Sequence, residues 1–200
     1  MEHLNKIIMD KLYVVKYSGL FGFIKPWTAV RDSETFSQQF LTPSIIEGIE
    51  RKLFPELLNE QGIKAIKRHR LSYTQIAQQQ EVIQTRGWNL SNKIYSRPTS
   101  IIVRGLMVDP VLYLAFEDEE YAKRAMTQHL CLVRNEDVML PEEMLEIMVE
   151  DFDDDNVFPG FELMFEKTDE SFHVGYNRTT NEPMYGWLKI VGVPVADSVK

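Results

Sequence analysis

Apolar positions along the chain change rhythm several times. LYVVKYSGLFGFI, from Leu12 to Ile24, is rich in β-branched and aromatic residues and predicts a strand, with Gly19 and Gly22 suited to a bulge or a close backbone approach. Ile45, Ile46, Ile49, Leu53 and Phe54 then recur at helical spacing. Thr42-Pro43-Ser44 opens that helix, with Ser44 as the expected N-cap and Glu47 at the capping-box position. Pro55 interrupts the pattern, Glu56-Leu57-Leu58 prolongs it past a kink, and Gly62 fits a stop. A second strand is expected over 63–73. Residues 74–96 are polar, with three consecutive glutamines. Flanked by strands, they read as a protruding hairpin or loop anchored only by Val82, Ile83, Trp88, Leu90 and Ile94.

Beyond the hairpin, Ser100 to Val108 and Pro110 to Phe116 predict strands turning at Asp109-Pro110. Tyr121, Ala125, Met126, His129 and Leu130 predict a helix over 118–134, and Pro141 at a first helical position predicts another over 141–149. Gly160–Phe165 and Phe172–Tyr176 suggest a hairpin, and 186–195 a closing strand. The order strand, helix, strand, strand, helix, strand predicts an α+β fold of ferredoxin-like or RRM-like type, with a hairpin thumb and a small C-terminal β-rich part. The expected division is a domain over 1–134, its thumb at about 74–96, and an acidic β part over 135–200 packed on it.

Composition narrows the class. Hydrophobic residues make up 44% of 200, enough for a real core and too many for disorder. The apolar runs are far shorter than the roughly 20 residues that span a bilayer, so no membrane partner is expected. The charged start MEHLNKIIMDKL lacks a signal-peptide pattern, and the single Cys131 excludes an internal disulfide; both point to a reducing cytoplasm. Cys131 has apolar neighbours and reads as a buried thiol.

Net charge is −8, unusual for a nucleic-acid binder, but it is unevenly spread. Residues 1–104 carry 15 Lys and Arg against 9 Asp and Glu, and residues 105–200 carry 7 against 21. Screening over about 10 Å lets a basic face bind RNA while an acidic half stays solvated or meets another protein.

Within the basic half, cationic and aromatic groups cluster on a loop beside a helix N-terminus, where unpaired N–H groups favour anions. That arrangement suits the backbone of a single-stranded nucleic acid, and the candidates are Lys25, Trp27, Arg31, Ser44, Lys67, Arg68, His69, Arg70, Arg97 and Arg104. Trp27 reads equally well as core. His69 sits in the run KRHR and is expected to touch phosphate rather than act as an acid or base. His129, on an apolar helical face, is expected to pack. The run Glu150, Asp151, Asp153, Asp154, Asp155 lacks the EF-hand order and is expected to be solvated, or to dock on a basic surface of a neighbour. Walker, HExxH, paired-Cys and GxSxG signatures are absent, so neither metal nor cofactor is expected.

The same first block resembles a known family. Gly22-Phe23, Lys25-Pro26, the polar loop from Arg31 to Phe40, Pro43-Ser44 and Gly48 are similar to the N-terminal signature of the Cas-five family, closest to its type I-C branch. Those proteins are RAMP subunits that cap the crRNA 5′ handle in class 1 CRISPR effector complexes. IKAIKRHRLSY (63–73), YSRPTSIIVRGLMVDPVLYLAF (95–116) and YGWLKIVGVPV (185–195) resemble later family strands more weakly. The resemblance implies a crRNA-binding subunit that packs on an adjacent CRISPR backbone subunit and meets a large subunit or effector nuclease and target nucleic acid in the assembled complex. In type I-C the resembling subunit also cuts pre-crRNA without metal, through a Tyr just before the Pro-Ser helix start. Here that stretch holds Phe36, Ser37, Gln38, Gln39 and Phe40, and phenylalanine moves no proton. The expectation is therefore a non-catalytic cap. The alternatives are a metal-independent endoribonuclease using His69 or Tyr73, and an acidic protein–protein adaptor.

Overall fold

The computed structural model describes residues 11–26, 33–85, 87–132, 134–177 and 180–196. It is mostly β with two α-helices, an α+β fold. Strand β1 (Lys11–Gly19) alternates cleanly: Tyr13, Val15 and Tyr17 point to one face, Leu12 and Val14 to the other. After β2 (Phe21–Gly22) and β3 (Glu34–Phe36), helix α1 (Pro43–Leu53) buries Ile46, Ile49 and Leu53. Its N-cap is Thr42, not Ser44; no side chain caps it, and Pro43 sits in the first turn, where its missing N–H costs no intrahelical bond. Glu47 instead accepts from Gly62 N–H (3.1 Å) and Arg51 (2.8 Å). Glu50, wholly buried, accepts from the N–H groups of Lys64, Ala65 and Ile66 at 2.7–2.9 Å, tying the helix to the start of β4 (Ile66–Ser72).

A long arm follows. Strand β5 (Gln75–Gln84) pairs with β8 (Thr99–Val108) over ten residue pairs, and the short strands β6 (Asn89–Ser91) and β7 (Ile94–Ser96) close its tip. The chain returns through β9 (Val111–Phe116), apolar throughout, as a strand covered on both faces must be. Helix α2 (Glu119–Ala125) is capped by Asp118, which accepts from Glu120 N–H. It ends well before the expected Arg134: Thr127 and Gln128 close a tight turn onto Arg124 and Ala125, and strand β10 (Leu130–Cys131) starts. His129 is consequently exposed rather than packed.

Residues 138–148 form strand β11 (Val138–Met148), not the expected helix. The run MLPEEMLEIM fits both periods, and the free edge of β1 decides: nine residue pairs join the two strands antiparallel. Pro141 is tolerated because it lies opposite Tyr17, beside a register shift after Lys16. A 3-10 turn (Val149–Asp153) leads to β12 (Gly160–Met164), β13 (Phe172–Tyr176) and β14 (Pro183–Val191). The expected β12–β13 hairpin does not form; β14 lies between them and pairs with both.

One eight-stranded sheet results, in the order β10-β11-β1-β9-β4-β12-β14-β13. Strands from both sides of residue 134 belong to it, and β1 pairs directly with β11. The helices cover one face around Tyr17, Ile24, Leu41, Phe54, Leu114 and Phe116. Phe152 and Phe158 cover part of the other, packing on Leu12, Val14, Tyr113 and Ala115. The arm extends from the β4–β9 connection, and β2 and β3 both pair with β8 at its base. Among the described residues no helix is long and apolar enough to cross a membrane.

Candidate nucleic-acid interface

The most basic run of the sequence is not on offer to a ligand. Arg70 on β4 is wholly buried beneath Phe152 and Phe158, and donates to the carbonyl oxygens of both (2.5 and 2.8 Å). Its guanidinium also meets Asp153, and Glu162 at 3.4 Å. Arg68 clasps Glu162 through two bonds (2.5 and 2.7 Å) and Asp153 through a third (2.8 Å). Lys189 closes the network on Asp153 at 2.8 Å. Burial alone would raise the Asp153 carboxyl, but Lys189, Arg68 and Arg70 together hold it well below the usual carboxylate range. Of the acidic run, Asp153 meets this chain's own arginines, while Glu150, Asp151, Asp154 and Asp155 are exposed, as the solvated reading expected. The side chains on either side of the run are mutually neutralised, and an arginine aimed at phosphate in the sequence reading is a structural cation here.

His69 is also removed from the surface. It is buried, stacked on Phe165 with ring centroids 5.3 Å apart, and its Nε2 has no partner. Burial, reinforced by Arg68 and Arg70 against Glu162, pushes its pKa down to about 4. A neutral, enclosed imidazole of this kind neither grips phosphate nor relays protons to an RNA. Lys67 remains at the surface, in an ion pair with Glu117 at 3.1 Å.

The base of the arm is more promising. Ile24 N–H donates to Ser37 Oγ (2.9 Å), Gln38 N–H to Ile24 O (2.8 Å), and Ser37 N–H to Gly105 O (2.8 Å). These bonds bring Lys25, Phe36 and Arg104 together from three separate parts of the sequence. Lys25 is exposed and has no carboxylate partner among the described residues. Phe36 lies flat across Gly105, where an added Cβ would stand only 2.1 Å from Phe36 Cδ1. Arg104 and Arg134 flank Phe23 at 5.2 and 5.4 Å, and both bond Glu81. Arg134 also clasps Asp137, which accepts from Phe23 N–H. This clamp ties the arm to the segment after β10, and local sequence gives no sign of it because its members lie up to 114 positions apart.

Along the arm, apolar residues face outward instead of anchoring it. Val82, Trp88, Leu90, Ile94 and Tyr95 are each 60% or more exposed. Arg97 stacks over Trp88 at 5.1 Å and donates to Gln84 Oε1 at 3.4 Å, and neither Arg97 nor Lys93 has a carboxylate partner among the described residues. Exposed flat rings beside unneutralised cations are what base stacking and phosphate contact require.

Ser44 sits in the first turn of α1 on a cleft of about 230 Å³, shared with Arg51, Gln61, Tyr176 and Thr180. Trp27 and Arg31 lie outside the described residues. Cys131 is half-buried, its Sγ near Asn135 O and Lys52. Among the described residues no group of three or more His, Cys, Asp or Glu is placed to hold a metal ion. Tyr73, named in the endoribonuclease alternative, donates its hydroxyl to Gln39 Oε1 at 2.7 Å, inside the loop that lacks a tyrosine of its own.

No protein-family model and no curated protein matches the chain. Among solved structures, it is similar to a chain of a "CRISPR RNA-guided surveillance complex", with 9% sequence identity and a TM-score of 0.49, covering 92% of this chain and 90% of that one. At that distance the likeness carries no functional argument, and the reading below rests on the residues of this chain.

Proposed function

We propose that this chain is a single-stranded RNA-binding subunit, and specifically one that caps the crRNA 5′ handle in a class 1 CRISPR effector without cutting it. The observation that carries the reading is the arm: Trp88, Tyr95, Lys93 and Arg97 stand exposed and unneutralised on it, with Lys25 and Phe36 at its base. The sheet supports it too, since β1, α1, β4, β9, α2 and β11 place their strands in the order β11-β1-β9-β4, as a ferredoxin-like RAMP domain would. The arm takes the part of the thumb, beside the adjacent backbone subunit and the first guide segment. Sequence-independent grip then comes from cations on phosphate, and splayed bases stack on the rings.

A second reading has one observation in its favour. The Tyr73 hydroxyl reaches the loop where the family's processing tyrosine belongs. Yet Tyr73 is only 5% exposed, and burial raises its pKa. One experiment addresses both readings. Fluorescence anisotropy with the 5′-handle RNA of the cognate repeat, in EDTA, is expected to show tighter binding to this single strand than to an RNA duplex of equal length, whose bases cannot splay onto the rings, and an intact RNA afterwards. Equal affinities would remove the capping reading. Defined cleavage lost in Tyr73→Phe would replace it with the processing one.

A further inference from the structure

The sheet face opposite the helices is only partly covered. The Phe152 and Phe158 cluster ends at the row Lys16, Tyr113 and Glu143. Past that row lies a groove of about 540 Å³, lined by Gly19, Leu20, Val111, Val138 and Leu140. Leu20, Val138 and Leu140 are 74%, 40% and 58% exposed. Aliphatic side chains standing together in water at the end of a sheet are a docking feature rather than a folding one.

The rim says what kind of partner fits. Glu142 and Glu143 share the single cation of Lys16 at 2.9 and 3.5 Å. Asp109, which also lines the groove, has among the described residues only the Thr74 hydroxyl, at 3.5 Å. Carboxylates outnumber cations at both of these points. A phosphate backbone would be repelled there, while a lysine or arginine would be drawn in.

From the apolar floor and the carboxylate rim together, we propose that this groove docks a segment of a partner protein that inserts an aliphatic side chain and carries Lys or Arg close to it. The groove is a second working surface, separate from the RNA-binding arm and independent of whether the arm binds RNA. Partner and RNA then occupy different parts of the molecule.

The test is a displayed library of random twelve-residue peptides sorted against the intact, fluorescently labelled chain. Enriched peptides are expected to share an aliphatic residue within three positions of a Lys or Arg. Synthetic copies should bind Leu140→Ser about tenfold more weakly, because an exposed apolar contact is lost without disturbing the core. They should bind Asp109→Asn a few-fold more weakly, with a shallower salt dependence. A matched oligouridine should bind all three proteins equally. Absence of enrichment, an acidic consensus, or peptides indifferent to Leu140→Ser would each overturn the proposal. So would weaker RNA binding by Leu140→Ser with peptide binding unchanged, which would make the groove a nucleic-acid surface.

Discussion

Arg70 and Glu162 illustrate how far one residue's role depends on partners that are remote in sequence. Both are essentially excluded from water, and the guanidinium is held by two carbonyls and two carboxylates. Removing one member leaves a buried charge uncompensated, which typically costs about 3–5 kcal/mol. Arg70→Met and Glu162→Gln are therefore each expected to lower stability strongly in urea unfolding, and the double variant to lose clearly less than the sum of the two. Strict additivity would mean the residues do not act as a unit. His69 gives a pH signature. Its folded pKa is about 4, below the ordinary 6.5, so between those values the unfolded chain binds the extra proton. Stability is complete above pH 6.5 and falls on acidification by about 1.4 kcal/mol per pH unit. Urea midpoints at pH 7, 6 and 5 should show that slope, and His69→Phe, which keeps a ring against Phe165, should flatten it. An unchanged slope would assign the acid sensitivity to other groups. The run KRHR read as a phosphate grip because sequence shows charges without their partners: Asp153 and Glu162 lie 83 and 92 positions from Arg70.

Elements were legible where a single period dominated. The alternation of β1, the apolar stripe of α1, the apolar run of β9 and the glutamine-rich arm could all be read from the sequence. β11 could not, because its apolar residues fit two periods and only pairing with β1 selects one. Likewise, the pairing of β14 with both β12 and β13 is a matter of sheet order, invisible to local pattern. The arm also shows a limit of reading by composition. Polar sequence alone invites a cut from Gln75 to Leu90, yet β5 pairs along the whole of β8, where Ile102, Leu106 and Met107 are buried. The separable part is the tip. Replacing residues 85–98 by Asn-Gly, which joins the Gln84–Thr99 pair by a two-residue turn, should shift the thermal midpoint by only a few degrees. A drop beyond about 10 °C would show that the exposed tip residues contribute to the core after all.

For the whole molecule, the charge asymmetry read from the sequence resolves into internal pairing. Lys11, Lys16, Lys67, Arg68 and Arg70 from the basic half are matched by Glu146, Glu142, Glu143, Glu117, Asp153 and Glu162 from the acidic half. Among the described residues Lys25, Lys93 and Arg97, on the arm and at its base, have no carboxylate partner, and Lys52, Lys64 and Lys167 are the unmatched cations elsewhere. The RNA-binding reading thus rests on fewer cations than the sequence offers, and these can be tested individually. The most direct measurement is a salt titration of handle-RNA affinity for the intact chain beside Trp88→Ala and Arg97→Ala. Trp88→Ala should lose about 1–3 kcal/mol of affinity with its salt slope unchanged, because it removes a stacked base. Arg97→Ala should lower the log–log slope by roughly 0.7, because it removes one phosphate contact. Affinity and slope unchanged in both variants, with binding retained, would contradict the account and move the RNA away from the arm.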